Sequence, residues 1–253
     1  MKISNVEVIT FRIWTRRLKS KWGYGFGTWE DEEHETTSSI TKISTDEGAE
    51  GYMLGGRREY IEGVAKPLLL GEDPLNREKL WNWMYHMANV VETLPERQMG
   101  VIDSALWDLL GRMVGLPVGK LLGGGREKVK AYASTFPNIG GPEDYAQHAL
   151  ECKQRGYKAF KVHAYIYWNP HKWEPAPLHP GYPKEDVEIC KAVREAVGDD
   201  MVLMHDPFGS YTYEQSLWVG RELEKLGFYW LEHPMIETRM EPYRRLTREL
   251  DIA

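Results

Sequence analysis

The sequence predicts two folded parts in series: an α+β unit of antiparallel strands and helices, then an α/β unit in which parallel strands alternate with helices. Three observations predict this. Residues 1 to 55 alternate apolar and polar positions between turn signals, residues 58 to 122 change to helical spacing, and from Lys128 strand-like and helix-like segments take turns. At 253 residues the chain has room for a small domain plus a larger one.

In the first unit, Lys2 to Ile13 and Thr36 to Ser44 read as strands, and Asp46-Glu47-Gly48 turns the chain into Glu50-Gly51-Tyr52-Met53. Between the first two strands lies Lys21-Trp22-Gly23-Tyr24-Gly25-Phe26-Gly27-Thr28-Trp29. Its glycines allow movement and its aromatics give contact area, so it fits a lid over a ligand or an Ω-loop packed on its own rings. The spacing from Asn76 to Val91 predicts a helix. Pro95-Glu96 opens a longer one through Leu110 that stops at Gly115-Leu116-Pro117, with Asp103 and Asp108 as helix-surface or structural hydrogen-bonding groups on it. Gly123-Gly124-Gly125 lacks the preceding strand, following helix and Lys-Ser/Thr pair of a phosphate cradle, and reads as a linker.

The second unit reads as a strand over Val129 to Ser134, a helix over Pro142 to Arg155, and then three apolar runs separated by helices over Lys184 to Val197 and Tyr213 to Leu226. The runs are Ala159 to His163, Met201 to Asp206 and Phe228 to Glu232; a last helix covers Arg239 to Leu250. Such alternation implies right-handed crossovers in a barrel or an open sheet, with the functional rim at the carboxyl ends of the strands. Each run stops at an ionisable residue on that rim. Lys161 and His163 project to one face because strand residues i and i+2 do. Asp206 and Glu232 end neighbouring strands, and a pair of anionic oxygens on rigid supports suits a hard cation such as Mg²⁺. Strand-terminal charges are often merely solvated, but four at the ends of three successive units favour a site.

Composition excludes several classes. The formal charge is −6 with a pI near 5.8 and no basic run with interleaved aromatics, so nucleic acid is not an expected partner. No stretch has the length and apolarity of a membrane span, and the N-terminus lacks a signal-peptide core, so a cytoplasmic protein without a membrane partner is expected. Cys152 and Cys190 lie in helical patterns without metal-type spacing and read as buried thiols.

Taken together, Ile102-Asp103-Ser104-Ala105-Leu106-Trp107-Asp108-Leu109, Gly115-Leu116-Pro117, Leu121-Leu122-Gly123-Gly124, Lys161-x-His163, Asp206 and Trp230-Leu231-Glu232-His233-Pro234 resemble the mandelate racemase and muconate lactonizing enzyme branch of the enolase superfamily. The resemblance covers essentially the whole chain. It implies an α+β N-terminal capping domain over residues 1–125 and the first part of a modified TIM-type (β/α) barrel over 126–253. It also implies Mg²⁺ held by carboxylates from three successive strands, and abstraction of a proton α to a carboxylate. Asp206 and Glu232 match the first two metal ligands. Lys161 matches the first residue of the family's Lys-x-Lys motif, which helps neutralise the substrate carboxylate, and His163 matches the second, the base.

Three departures stand out. His163 replaces the second Lys, which brings a group whose ordinary pKa near 6.5 already suits proton abstraction at neutral pH and leaves two readings, His163 as the base or as a substrate contact only. Asp206-Pro207-Phe208 lacks the frequent Asn two positions after the aspartate. Asp206 and Glu232 are 26 positions apart, and the same step again falls about five residues past Ala253. The expectation is therefore the front two-thirds of a longer enzyme, poorly active by itself and prone to association through open strand edges.

The aromatic-rich loop from Ala164 to Pro183 fits either a polyhydroxylated ligand or a structural or oligomer contact, and with the resemblance it points to an acid-sugar carboxylate substrate, a dehydratase reaction and a homo-oligomer, with a racemase or a non-catalytic binder as alternatives. Lys161, Trp22, Tyr24, Tyr165, Trp168 and His205 are the expected substrate contacts.

Overall fold

The computed structural model describes residues 1–17, 32–165, 168–169, 174–175, 181–236, 238 and 240–253. Met1–Arg16 with Glu33–Lys128 make one compact unit, and Val129–Ala253 belong to a second.

In the first unit β1 (Ile3–Arg17), β2 (Glu32–Thr45) and β3 (Glu50–Leu54) form a sheet in the order β1-β2-β3, with β2 and β3 antiparallel. The helices are α1 (Arg58–Tyr60), a π-helical turn over Ile61–Ala65, α2 (Lys66–Leu69), α3 (Arg77–Asn89), α4 (Glu96–Val114) and α5 (Val118–Leu121). Pro95 precedes the first turn of α4, and Gly115 closes it in the left-handed conformation at φ 68° that glycine adopts without a Cβ penalty. Val6, Ile43, Leu80, Met84, Ile102, Leu106 and Leu109 form the core. Asp108 accepts from the Tyr52 N–H at 2.9 Å and from Arg112 at 2.7 Å, and Asp103 pairs with Arg77 at 3.2 Å. Both aspartates therefore tie elements together.

The second unit runs β4 (Ala133–Ser134), α6 (Pro142–Gln154), β5 (Ala159–Val162), a small antiparallel ribbon of β6 (Trp168–Asn169) and β7 (Glu174–Pro175), α7 (Pro183–Val197), β8 (Val202–His205), α8 (Tyr213–Lys225), β9 (Trp230–Leu231) and α9 (Met240–Glu249). The four main strands pair in parallel in the order β4-β5-β8-β9. The first strand is shorter than its sequence pattern predicts, and Val129, where that pattern begins, is 79% exposed. Strand β9 is short by the same measure, yet bonds from Tyr229 N–H to Leu203 O (2.7 Å) and Glu232 N–H to His205 O (2.8 Å) carry the pairing beyond both of its ends. The carbonyl of Ala253 accepts from the Leu231 N–H at 2.9 Å, so the last residue lies along β9.

Period-two alternation gives the sheet two unlike faces. Phe160, Val162 and Leu203 pack with Ala149, Cys152, Val193, Val219 and Leu223 from the helices, and make one core. The opposite, inner face carries the register row Lys161, Met204 and Trp230. Arg194 of α7 donates to the carbonyls of Gly198, Met201, Leu226 and Gly227, and so ties the entries of β8 and β9 to one helix end. Among the described residues no helix is long and apolar enough to cross a membrane.

Candidate active site

Register places the site. Lys161 pairs with Met204, and Met204 with Trp230; two residues further along each strand, on the same face, stand His163, Asp206 and Glu232. One residue pattern repeated over three parallel strands thus brings four ionisable groups to one rim.

Lys161 Nζ lies 3.3 Å from Asp206 Oδ2 and 2.9 Å from Glu232 Oε2. His163 Nε2 lies 2.9 Å from the same Asp206 oxygen, an ion pair when the ring is protonated. Lys161, His163 and Asp206 are buried and Glu232 is half-buried. Burial pushes the Asp206 carboxyl up, but His163, the Phe208 N–H and Lys161 outweigh it and hold Asp206 down at about 2. Burial likewise works against the Lys161 ammonium, yet Glu232 and Asp206 raise it above its ordinary value. Both stay charged at neutral pH.

Neighbouring groups orient each member. The Thr135 carbonyl lies 2.6 Å from His163 Nδ1, and a carbonyl only accepts, so Nδ1 carries a hydrogen and Nε2 is the nitrogen aimed at the site. Thr135 Oγ1 also brackets the His163 backbone, accepting from its N–H at 2.8 Å and donating to its carbonyl at 3.2 Å. Trp230 Nε1 donates to Glu232 Oε2 at 3.1 Å. Tyr132 meets the Trp230 ring edge-on at 5.8 Å and lies under the Lys161 ammonium at 5.5 Å. None of these supports stands out by residue type. Thr135 and Tyr132 belong to the short first strand and its approach, and Trp230 shows itself only through its i, i+2 relation to Glu232.

Among the described residues no group of three or more His, Cys, Asp and Glu is arranged to hold a metal ion. Two carboxylates do converge: Asp206 and Glu232 share one cationic partner, Lys161 Nζ. Their all-oxygen donors and their approach to a single positive charge fit a hard divalent cation.

Two expected substrate contacts lie elsewhere. His205 is fully buried and points to the helix face, with Nε2 2.9 Å from the Tyr211 hydroxyl and Nδ1 3.2 Å from Val162 O. Adjacent strand residues face opposite ways, so Asp206 on the inner face puts His205 on the outer one. Tyr165 is buried too, its hydroxyl donating to Gly140 O at 2.7 Å and its ring edge-on to Tyr145 and Tyr182. Trp22, Tyr24 and the side chain of Trp168 lie outside the described residues. The inner face also bounds a cavity of about 870 Å³ lined by Tyr132, Val202, Met204, Tyr229 and Trp230 among others. It opens at the strand starts, and the ionisable cluster is at the other end, so chemistry and not volume marks the site.

Residues 29–123 match the mandelate racemase / muconate lactonizing enzyme N-terminal domain, and residues 144–253 match the enolase C-terminal domain-like family. The chain belongs to the enolase superfamily. Its (β/α) part is thereby the first portion of that superfamily's barrel. Arabinonate dehydratase from Saccharolobus solfataricus is 32% identical over 87% of this chain and 58% of its own length. N-succinyl-L-Arg/Lys racemase from Bacillus cereus is 27% identical over 100% of this chain and 64% of its own. The crystal structure of D-glucarate dehydratase from Agrobacterium tumefaciens, complexed with magnesium, superposes with a TM-score of 0.85 at 39% identity, covering 100% of this chain and 66% of that one. This enolase-superfamily chain therefore spans about three-fifths of the length of its relatives, which are acid-sugar dehydratases, cycloisomerases and racemases.

Proposed function

We propose that the protein takes part in Mg²⁺-dependent dehydration of an acid sugar, with His163 as the base that removes the proton α to the carboxylate. The observation that carries this is the convergence of His163 Nε2 and Lys161 Nζ on the Asp206 carboxylate, at 2.9 and 3.3 Å, with Glu232 completing the group from the next strand. Asp206 and Glu232 would hold the ion, which when bound supplies charge stabilisation to the substrate carboxylate. Lys161 is a second positive charge beside that position. Removing the α-proton puts two negative charges on one enediolate, and a fixed cation there stabilises charge as it develops. Thr135 keeps Nε2 of His163 directed at the site so that it can receive the proton. Loss of the β-hydroxyl as water and tautomerisation then give a 2-keto-3-deoxy acid.

The glucarate dehydratase likeness makes D-glucarate the first probe. With Mg²⁺ and D-glucarate in D₂O, dehydration yields a 2-keto acid that forms a semicarbazone. Deuterium at the α-carbon without keto acid would move the assignment to racemase or epimerase, and tight binding with neither would make this a non-catalytic acid-sugar binder. Mg²⁺ affinity by calorimetry, lost in Asp206→Ala, checks the ligand role separately.

A further inference from the structure

The turn after β8 holds a residue to which this mechanism gives no part. Phe208 lies two positions past Asp206, at φ 55°, in the left-handed region that bulky side chains rarely adopt. Its N–H donates to Asp206 Oδ1 at 3.0 Å. Its ring stacks on the imidazole of His163, with centroids 4.3 Å apart and planes 25° from parallel. Phe208 as a whole is 45% exposed.

The strained backbone is held from the next loop. Gly209 donates to His233 O at 2.6 Å and Tyr211 donates to Pro234 O at 2.9 Å, so the loops that follow Asp206 and Glu232 are clasped together. Gly209 is at φ 68°, and a Cβ there would stand 2.8 Å from His233 Nε2, so a side chain would strain the clasp and displace that ring. His233 is itself at φ 44°. Unfavourable backbone of this kind persists only where surrounding contacts over-determine it. Glycine at 208 would adopt the same φ without cost, so backbone geometry does not account for a phenyl group; the contact with His163 does.

We propose that Phe208 is a positioning residue for His163, which rests on reading His163 as the base. The imidazole is then fixed on two sides: Nδ1 by the Thr135 carbonyl and one ring face by Phe208, which leaves Nε2 a single direction. The backbone N–H of Phe208 serves Asp206 whatever the side chain, so substitutions at 208 separate the two tasks.

The test is NMR of the His163 ring protons in the 253-residue chain at fixed pH, comparing Phe208 with Phe208→Leu, Phe208→Gly and Phe208→Trp. Stacking places His163 protons upfield by ring current; Leu and Gly release that shift, and Trp keeps it. Identical His163 shifts in all four proteins overturn the proposal. In exchange assays with Mg²⁺ and D-glucarate, Leu and Gly lower kcat for α-deuterium exchange about 3- to 10-fold with KM unchanged, and Trp restores it. Unchanged kcat, or a parallel loss of Mg²⁺ affinity, also overturns it. Phe208→Gly adds a stability reading: positioning predicts Tm unchanged or raised as strain is relieved, and a purely structural ring predicts a lowered Tm. The ring-current shift needs no turnover. Failure of His163 as the base, seen as exchange that persists in His163→Asn, is therefore distinguishable from failure of Phe208 to position it.

Discussion

Each face of the β5–β8 pair carries a histidine linked to an aspartate, and the two carboxyls are shifted in opposite directions. On the inner face, His163 and Lys161 lie within 2.9 and 3.3 Å of Asp206, whose carboxyl is held down at about 2. On the helix face, His205 reaches Asp186 of α7 through the Tyr211 hydroxyl. There burial pushes Asp186 up to about 8 and His205 down to about 4. Tyr211 O–H donates to Asp186 Oδ2, the Tyr211 oxygen lies 2.9 Å from His205 Nε2, His205 Nδ1 lies 3.2 Å from Val162 O, and the Tyr165 N–H donates to Asp186 Oδ1 at 3.2 Å. Each of these buried groups therefore has a partner. Residue type is shared between the faces; what differs is whether a fixed cation stands beside the carboxyl.

The largest effect that separates the faces is chemical. His163→Asn removes the proposed base from the inner face and keeps an N–H that can donate to Thr135 O. The expected outcome is a fall of about 10²- to 10⁴-fold in α-deuterium exchange, with Mg²⁺ affinity and Tm close to the parent's. Lost Mg²⁺ binding in this variant would break the division of roles between His163 and Asp206.

Next comes stability on the helix face. Tyr211→Phe deletes the hydroxyl that links Asp186 to His205 and leaves two fully buried polar groups without that partner. Urea unfolding is expected to show a loss of about 1–3 kcal/mol, with the catalytic response much smaller than that of His163→Asn. A loss of activity as large as that of His163→Asn, at unchanged stability, would show that the two faces are not separate.

Much of this contrast was within reach of the sequence. The alternation of elements, the ends of α4 at Pro95 and Gly115, and the arrival of Lys161, His163, Asp206 and Glu232 at one rim follow from periodicity and strand parity, and the structure carries all of them. Parity also sends His205 outward, because Asp206 faces inward. Asp186 was not legible, because Pro183-Lys184-Glu185-Asp186 reads as an ordinary acidic first turn. Its burial depends on α7 packing against the loop that brings Tyr211. Thr135 escaped notice because its task is performed largely by a backbone carbonyl, which every residue has. Phe208 showed in the sequence only as the place of a missing Asn. That its ring covers His163 depends on a left-handed turn that no local propensity predicts.

The smallest expected effect sharpens the comparison most, because it reads protonation itself. A carboxyl whose folded pKa is raised contributes stability that is fully present below its unfolded pKa, 3.8, and is lost as pH rises through the folded value, about 8 for Asp186. Asp206 is the reverse case: its contribution is present above 3.8 and is lost as pH falls toward about 2. Between pH 6.5 and 8 Asp206 is ionised and His205 is neutral in the folded state; His205, whose unfolded value is 6.5, adds a small rise in stability near pH 6.5 that parent and variant share. In that window Asp186 makes stability fall with rising pH, by at most about 1.4 kcal/mol per pH unit. Asn at 186 is neutral at every pH and can still bond the Tyr211 hydroxyl and accept from the Tyr165 N–H. Urea unfolding at pH 6.5 and 8 is therefore expected to show the parent losing more stability than Asp186→Asn over the interval, with the variant's own slope near that of the remaining groups. Equal slopes would mean that Asp186 is ionised when folded, and that the helix face, like the inner one, carries a charge.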